Sequence, residues 1–165
     1  MTRRQTTPTD ADRAAWLQLD KQLCFALYSS SLAMTKLYKP LLEPLGLTYP
    51  QYLAMLVLWE QDGISVSALG QRLSLDSGTL TPLLKRMESA GLIARRRASD
   101  DERRVDVFLT FEGRTLKREA LKIPEQIACA SACDIDEMVS LTRRLQELRQ
   151  QLNKATTSPS TTPNL

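Results

Sequence analysis

Apolar positions recur along the chain at helical spacing before any other signal emerges. Leu17, Cys24, Leu27, Ser31, Met34 and Tyr38 fall three, four or seven residues apart. They predict one helix from about Ala11 to Lys39, ended by Pro40 because the residue before proline avoids the helical region. A short helical piece to about Leu45 follows, with Gly46 as its stop. Thr48, with Gln51 three residues on, reads as a capping box opening a helix from Tyr49 to about Gln61. That helix is apolar on most sides and belongs at the centre of the core. Asp62-Gly63 ends it.

The next run, ISVSALGQRLSLDSGTLTPLLKRMESAGLI, carries two short helices. Ser65 caps the first, Val66 to Leu73, and Ser74-Leu75 makes a turn. Asp76 caps the second, Ser77 to Ala90, stopped by Gly91. Leu69, Leu73, Leu80, Leu83, Leu84 and Met87 pack the pair together, and Pro82 lies early enough in its helix to be tolerated. This is a helix-turn-helix arrangement. Leu92 to Arg96 and Val105 to Leu109 read as two strands joined by RASDDERR. Thr110 with Gly113 begins a helix to about Ala128. Asp134 or Asp136 restarts helix to about Asn153, with Met138, Leu141, Leu145, Leu148 and Leu152 forming a 3-4-3-4 seam. A seam at each end of the chain points to packing between subunits. The fold class is mainly α with a small β-wing.

Composition narrows the function. The 165 residues are 42% hydrophobic and 25% charged, ordinary for one soluble domain with helical extensions. No stretch approaches a membrane span, and the polar N-terminus lacks a signal-peptide core, so the expectation is a cytoplasmic protein with no membrane partner. There the three cysteines are thiols, or a disulfide with a catalytic or sensory role. The absence of histidine removes the commonest general base and metal ligand. A metal site is not expected, and without a glycine-rich phosphate loop no cofactor is implied.

The net charge of +3 names no partner, but its placement does. A helix-turn-helix followed by a charged hairpin is a winged helix, whose second helix enters the major groove of double-stranded DNA. Ser77, Thr79, Thr81 and Pro82 then face base edges, and Lys85 and Arg86 face phosphates one turn later. The hairpin carries Arg95, Arg96, Arg97, Arg103 and Arg104, interrupted by Asp100, Asp101 and Glu102. Asp101 accepts hydrogen bonds from Arg103 and presets its fork for a minor groove. A charged hairpin alone is equally a solvated turn; the preceding helix pair favours the DNA reading.

Cys24 has two readings. A thiol on an apolar helix face is ordinarily an inert small hydrophobe. Tyrosines on the same face favour a reactive one. Tyr28 is one turn away, and Tyr49 opens the next helix. Tyr38 is fourteen residues on, about 21 Å along a straight helix, so it reaches Cys24 only if a second copy of the helix lies alongside. Phenol donors to sulfur favour the thiolate, the form that attacks peroxide. Phe25, Leu27, Met55 and Trp59 would give the site an apolar rim; the same residues would equally make a plain core.

The stretch RLSLDSGTLTPLLKRMESAGLIARRRASDDERRVDVFLTFEG resembles the MarR family of winged-helix repressors, most specifically in Asp101-Glu102-Arg103 followed by Leu109, Thr110 and Gly113. The resemblance runs from about residue 15 to 153. LCFALY, LTYPQY and LDSGTLTPLLKR resemble the organic-hydroperoxide-resistance branch, OhrR, and IACASAC its two-cysteine form. The resemblance implies a homodimer on a pseudo-palindromic operator, with organic hydroperoxides as signal. The polar ends read as a flexible arm (1–10) and, where Pro, Ser and Thr are dense, a disordered tail (154–165); between them lie N-terminal dimerisation helices (11–46), a winged helix-turn-helix (47–110) and C-terminal dimerisation helices (111–153). The resemblance also implies that Cys24 is the peroxidatic sensor, supported by Tyr38, Tyr49 and Tyr28, and that Cys129 of the other subunit resolves it as a disulfide. Cys133, four residues later and on the same face if the helix continues, is a spare thiol or the alternative resolver. Two other functions stay in view: a MarR-type repressor relieved by a small aromatic ligand, and a thiol peroxidase. The chain lacks the strand–helix alternation of thioredoxin-like enzymes, so the expectation is not an enzyme.

Overall fold

The computed structural model describes residues 14–99, 101 and 103–157. They form two compact units, one up to Ala120 and one from Leu121. The flexible arm expected over residues 1–10 lies outside the described residues, as do Asp100 and Glu102 of the hairpin tip.

After helical residues 14–16, the first unit has a short 3-10 turn, Leu19–Lys21, and α1, Leu23–Leu42. The single helix expected from Ala11 is broken: Gln18 and Gln22 are both extended, and the Gln22 side-chain amide donates to the Trp16 carbonyl. Leu17 therefore lies off the face that carries Cys24. At the other end Pro40 does not stop α1, which runs on to Leu42. Proline in the last turn removes one hydrogen bond only, and the stop falls to a 3-10 turn, Glu43–Leu45, with Gly46 left-handed at φ 65°.

Helix α2 (Tyr49–Glu60) is opened by the Thr48 N–H donating to Gln51 Oε1 at 2.8 Å. It buries Tyr52, Ala54, Met55, Val57 and Leu58, and is the centre of the core. Strand β1 is only Ile64–Ser65. Ser65 Oγ caps α3 (Val66–Leu73) by accepting the Ala68 N–H. Asp76 caps α4 (Ser77–Ser89) through the Thr79 N–H at 2.8 Å. Leu80, Leu83, Leu84 and Met87 of α4 are buried with Leu69 of α3. Strands β2 (Ile93–Arg97) and β3 (Val105–Leu109) pair antiparallel, with Ile93 opposite Leu109 and Arg97 opposite Val105. Strand β1 adds to β3, Ile64 opposite Val107, which gives the order β1-β3-β2. Sequence pattern misses β1 because two residues show no alternation. Helix α5 (Phe111–Ala120) completes the unit.

The second unit holds α6 (Ile123–Ser131) and α7 (Ile135–Thr157). One helix from Thr110 to Ala128 was expected. The chain instead breaks at Leu121-Lys122, and Pro124 sits in the first turn of α6, where its missing N–H costs nothing. Asp134 is the restart, accepting the Glu137 N–H at 2.7 Å. Helix α7 continues four residues beyond Asn153, through Thr157, so the expected disordered tail is helical at its start; the remainder lies outside the described residues. From Ile135 to Thr156 no residue of α7 is buried; Leu141, Leu145 and Leu152 of the expected seam are exposed, while Met138 and Leu148 are half-buried.

Candidate nucleic-acid interface and thiol site

Helix α4 separates its two faces cleanly. While its four apolar residues point inward, Ser77, Thr79, Thr81, Pro82, Lys85 and Arg86 are all exposed. The Thr79 hydroxyl donates to Asp76 Oδ2 at 3.1 Å, so what it offers outward is its acceptor side. The hydrogen bonds from Thr79 hold the Asp76 carboxyl below its ordinary range. A groove of about 670 Å³ runs between α3, α4 and the hairpin, and Ser77, Thr81 and Arg103 all line it. Thr79, Pro82, Lys85 and Arg86 lie outside that groove on the open helix face.

The hairpin is organised by ion pairs. Asp101 Oδ1 accepts the Arg103 backbone N–H at 3.0 Å and its Nε–H at 3.5 Å. The Arg103 side chain is nonetheless 95% exposed. Asp101 thus meets Arg103 mainly through its backbone N–H, and the contact from the guanidinium is long. Arg104 pairs with Asp106 at 3.2 Å, and Arg96 lies over the Phe108 ring, 5.6 Å from its centroid. Arg95 is not a free cation. Its N–H, Nε–H and Nη2–H donate to the Glu88 carboxylate at 3.0, 3.0 and 2.6 Å. The paired guanidinium holds the Glu88 carboxyl low. This pair ties the last turn of α4 to β2. No periodicity reveals it, since its members lie on different elements.

The hairpin base is set by LT-x-x-G. Thr110 Oγ1 accepts the Gly113 N–H at 3.0 Å and donates to the Gly91 carbonyl at 2.7 Å. A Cβ on Gly113 would overlap the Leu92 carbonyl oxygen, which is why this position takes glycine. Asp62 was read only as a helix stop. Its Oδ1 also accepts the Leu109 N–H at 2.8 Å, and its Oδ2 pairs with Arg114 at 2.5 Å.

Around the thiol the structure brings the tyrosines together and leaves the cysteine apart. The Tyr38 ring is 4.8 Å from that of Tyr49 and 5.7 Å from that of Tyr52. Burial, with the neighbouring phenols adding, pushes the Tyr38 hydroxyl up to about 12, so across neutral pH it is a proton donor. Burial raises Tyr49 and Tyr52 as well. Tyr52 is a member that spacing did not single out, because it looks like any core aromatic. Cys24 is exposed at the other end of α1, and Tyr28, one turn from it, is also exposed. Of the expected apolar rim, Met55 is fully buried and belongs to the core. Trp59 donates its indole N–H to the Gly113 carbonyl at 2.9 Å. Phe25 and Leu27 are half-buried on α1. Cys129 is exposed on α6 and Cys133 is half-buried. They do not share a helix face: Ala132 turns left-handed at φ 53° and ends α6, leaving Cys133 in the connection.

Among the described residues no helix is long and apolar enough to cross a membrane. Residues 36–120 match the family model of the SarA/Rot transcriptional regulators. The chain is 49% identical over 138 residues to the organic hydroperoxide resistance transcriptional regulator of Bacillus subtilis, covering 84% of this chain and 94% of that protein. Among solved structures it is similar to reduced AbfR bound to DNA, with a TM-score of 0.68 and 31% identity over 87% of this chain and 99% of that one. That regulator comes from Staphylococcus epidermidis. Its disulfide form gives a TM-score of 0.56 and 32% identity, covering 91% of this chain and 100% of that one. These relatives are regulators, not enzymes, which sets the peroxidase reading aside. A capped helix pair, an arginine-bearing hairpin and these likenesses together place the chain in the MarR/SarA-type winged-helix transcriptional regulators, on the branch of the organic hydroperoxide resistance regulators.

Proposed function

We propose that this protein is a redox-sensing transcriptional repressor of the cytoplasm. It binds a pseudo-palindromic operator as a reduced homodimer and is released when organic hydroperoxides oxidise Cys24. One observation carries the reading: the exposed Cys24 thiol and the half-buried Tyr38 phenol, which packs against Tyr49, occupy opposite ends of the same helix, about 21 Å apart at the usual rise. The site is complete only when α1 of a second copy runs alongside, so that each thiol meets the other copy's Tyr38 and Tyr49. Exposed Leu23 and Leu32 on α1, and Leu141, Leu145 and Leu152 on α7, suit a dimer interface of residues 11–46 and 111–153. A helix with no buried residue from Ile135 to Thr156 lacks the packing that ordinarily stabilises helices in proteins. Residues 47–110 are the DNA-binding part.

The chemistry follows the oxidation ladder. The Cys24 thiolate attacks the terminal peroxide oxygen; the O–O bond breaks, the alkoxide leaves and takes a proton from solvent to become the alcohol, and sulfur becomes sulfenic acid. The Cys129 thiol of the other copy attacks that sulfur, expelling water and closing a disulfide. AbfR, known in a reduced DNA-bound and a disulfide form, differs between them in its likeness to this chain. Disulfide geometry requires Cα atoms within about 7 Å. If the reduced dimer holds the two cysteines further apart than that, closing the bond moves helices and displaces the two winged helices from successive major grooves.

The test is direct. The protein is bound to the operator DNA of its own promoter, one equivalent of tert-butyl hydroperoxide is added, then dithiothreitol. Release followed by rebinding is expected; release only by an aromatic acid would replace this reading with the ligand-relieved one.

Two predictions separate the residues. Cys129→Ser still forms the Cys24 sulfenic acid but gives no reducible dimer on a gel. A persistent disulfide dimer in that variant, lost on Cys133→Ser, would make Cys133 the resolver. Arg103→Ala weakens operator binding by about 5- to 150-fold, a minor-groove contact worth about 1–3 kcal/mol. Unchanged affinity would show that the hairpin is a solvated turn.

A further inference from the structure

We propose that Trp59 is the positioning residue through which the phenol cluster sets the base of the wing. The proposal rests on the reading that Cys24 oxidation releases DNA, and it names the route. Tyr49 and Tyr52 stand at the start of α2 and Trp59 near its end. The Tyr52 ring, 3% exposed, touches Tyr38 on one side and meets the Trp59 ring edge-on at 6.3 Å on the other. Trp59 then grips α5 twice: its indole N–H donates to the Gly113 carbonyl at 2.9 Å, and its own carbonyl accepts from Lys117 Nζ at 3.0 Å. Gly113 in turn donates to Thr110, whose hydroxyl donates to the Gly91 carbonyl where α4 ends. Gly113 also lies against the Leu92 carbonyl at the start of β2.

The path from the phenols to the junction of α4 and the wing is thus continuous, and each step is a ring contact or a directional hydrogen bond. Close-packed interiors transmit displacement rather than absorb it. When the thiolate held by Tyr38 and Tyr49 becomes a disulfide, those phenols lose their acceptor and shift. The shift reaches Tyr52, then Trp59, then the Gly113 carbonyl. Spatial continuity is only a route; the physical claim is that breaking it uncouples oxidation from release.

Trp59→Phe keeps an aromatic edge against Tyr52 and deletes the indole N–H. Operator affinity is measured by fluorescence anisotropy for reduced and disulfide forms, with Cys24 oxidation followed by mass spectrometry. The reduced variant, whose own Kd serves as the baseline, is expected to oxidise normally. Its ratio of oxidised to reduced Kd should fall at least about tenfold below the wild-type ratio. Tyr52→Leu, which keeps the indole bond but breaks the ring contacts, should lower the ratio in the same direction, and it serves alone if Trp59→Phe does not fold. Wild-type release with an equal ratio in both variants overturns this inference alone, as does a reduced Trp59→Phe protein that has lost operator binding. Wild-type protein that keeps its affinity after oxidation overturns the redox reading and this inference together.

Discussion

Cys24→Ser binds operator DNA as tightly as the wild-type protein and no longer responds to organic hydroperoxide. Serine is nearly isosteric with cysteine, and position 24 is exposed in the protomer, so stability should move by no more than about 0.5 kcal/mol. The hydroxyl oxygen has no sulfenic rung to climb. The expected result is a flat dose response at peroxide concentrations that fully release the wild type, an effect limited only by the assay range. Release of Cys24→Ser at the same dose would sink the thiol-sensor reading and leave the ligand-relieved repressor. The phenols bear on this as donors. With burial pushing its hydroxyl up to about 12, Tyr38 is fully protonated near neutrality and can donate to a thiolate throughout that range. The direction matters, because an ionised phenolate beside sulfur would oppose the thiolate instead.

Gly113→Ala is expected to be the most damaging single methyl group in the chain. Its Cβ would overlap the Leu92 carbonyl oxygen and sit 3.2 Å from Leu109 Cδ2. The first of these is backbone in the turn between α4 and β2, so it cannot rotate away. Overpacking of this kind costs about 1–3 kcal/mol, which for a chain of this size lowers Tm by roughly 2–4 °C per kcal/mol. The same shift pushes on the Thr110–Gly91 hydrogen bond that anchors the wing, so operator affinity should fall with stability. Calorimetry and anisotropy on one preparation check both. An unchanged Tm and unchanged affinity would mean that the turn after α4 yields easily, contrary to its hydrogen bonding.

The elements legible in the sequence are those whose ends are locally signalled. Thr48 with Gln51, Ser65 and Asp76 each satisfy helix N–H groups within three residues, so α2, α3 and α4 fall within a residue of expectation. The misses have separate causes. Pro40, at the end of α1, was read on type rather than position, and Pro124, which opens α6, was passed over inside a longer helix. Ala132, an ordinary residue forced left-handed, ended the helix that was to put Cys129 and Cys133 on one face.

From its pattern alone this chain determines a capped helix pair, a charged hairpin with an acid beside Arg103, and a thiol and a phenol on one helix too far apart to meet. Those are consequences of spacing and local hydrogen bonding, which one strand of sequence contains. Only the tertiary structure decided that Glu88 takes Arg95 out of the set of free cations, that Tyr52 joins the phenol cluster, and that Asp62 and Trp59 bind α2 to the wing base. Each joins residues on different elements, and no period in the sequence records which side chains the packing of α2 brings face to face.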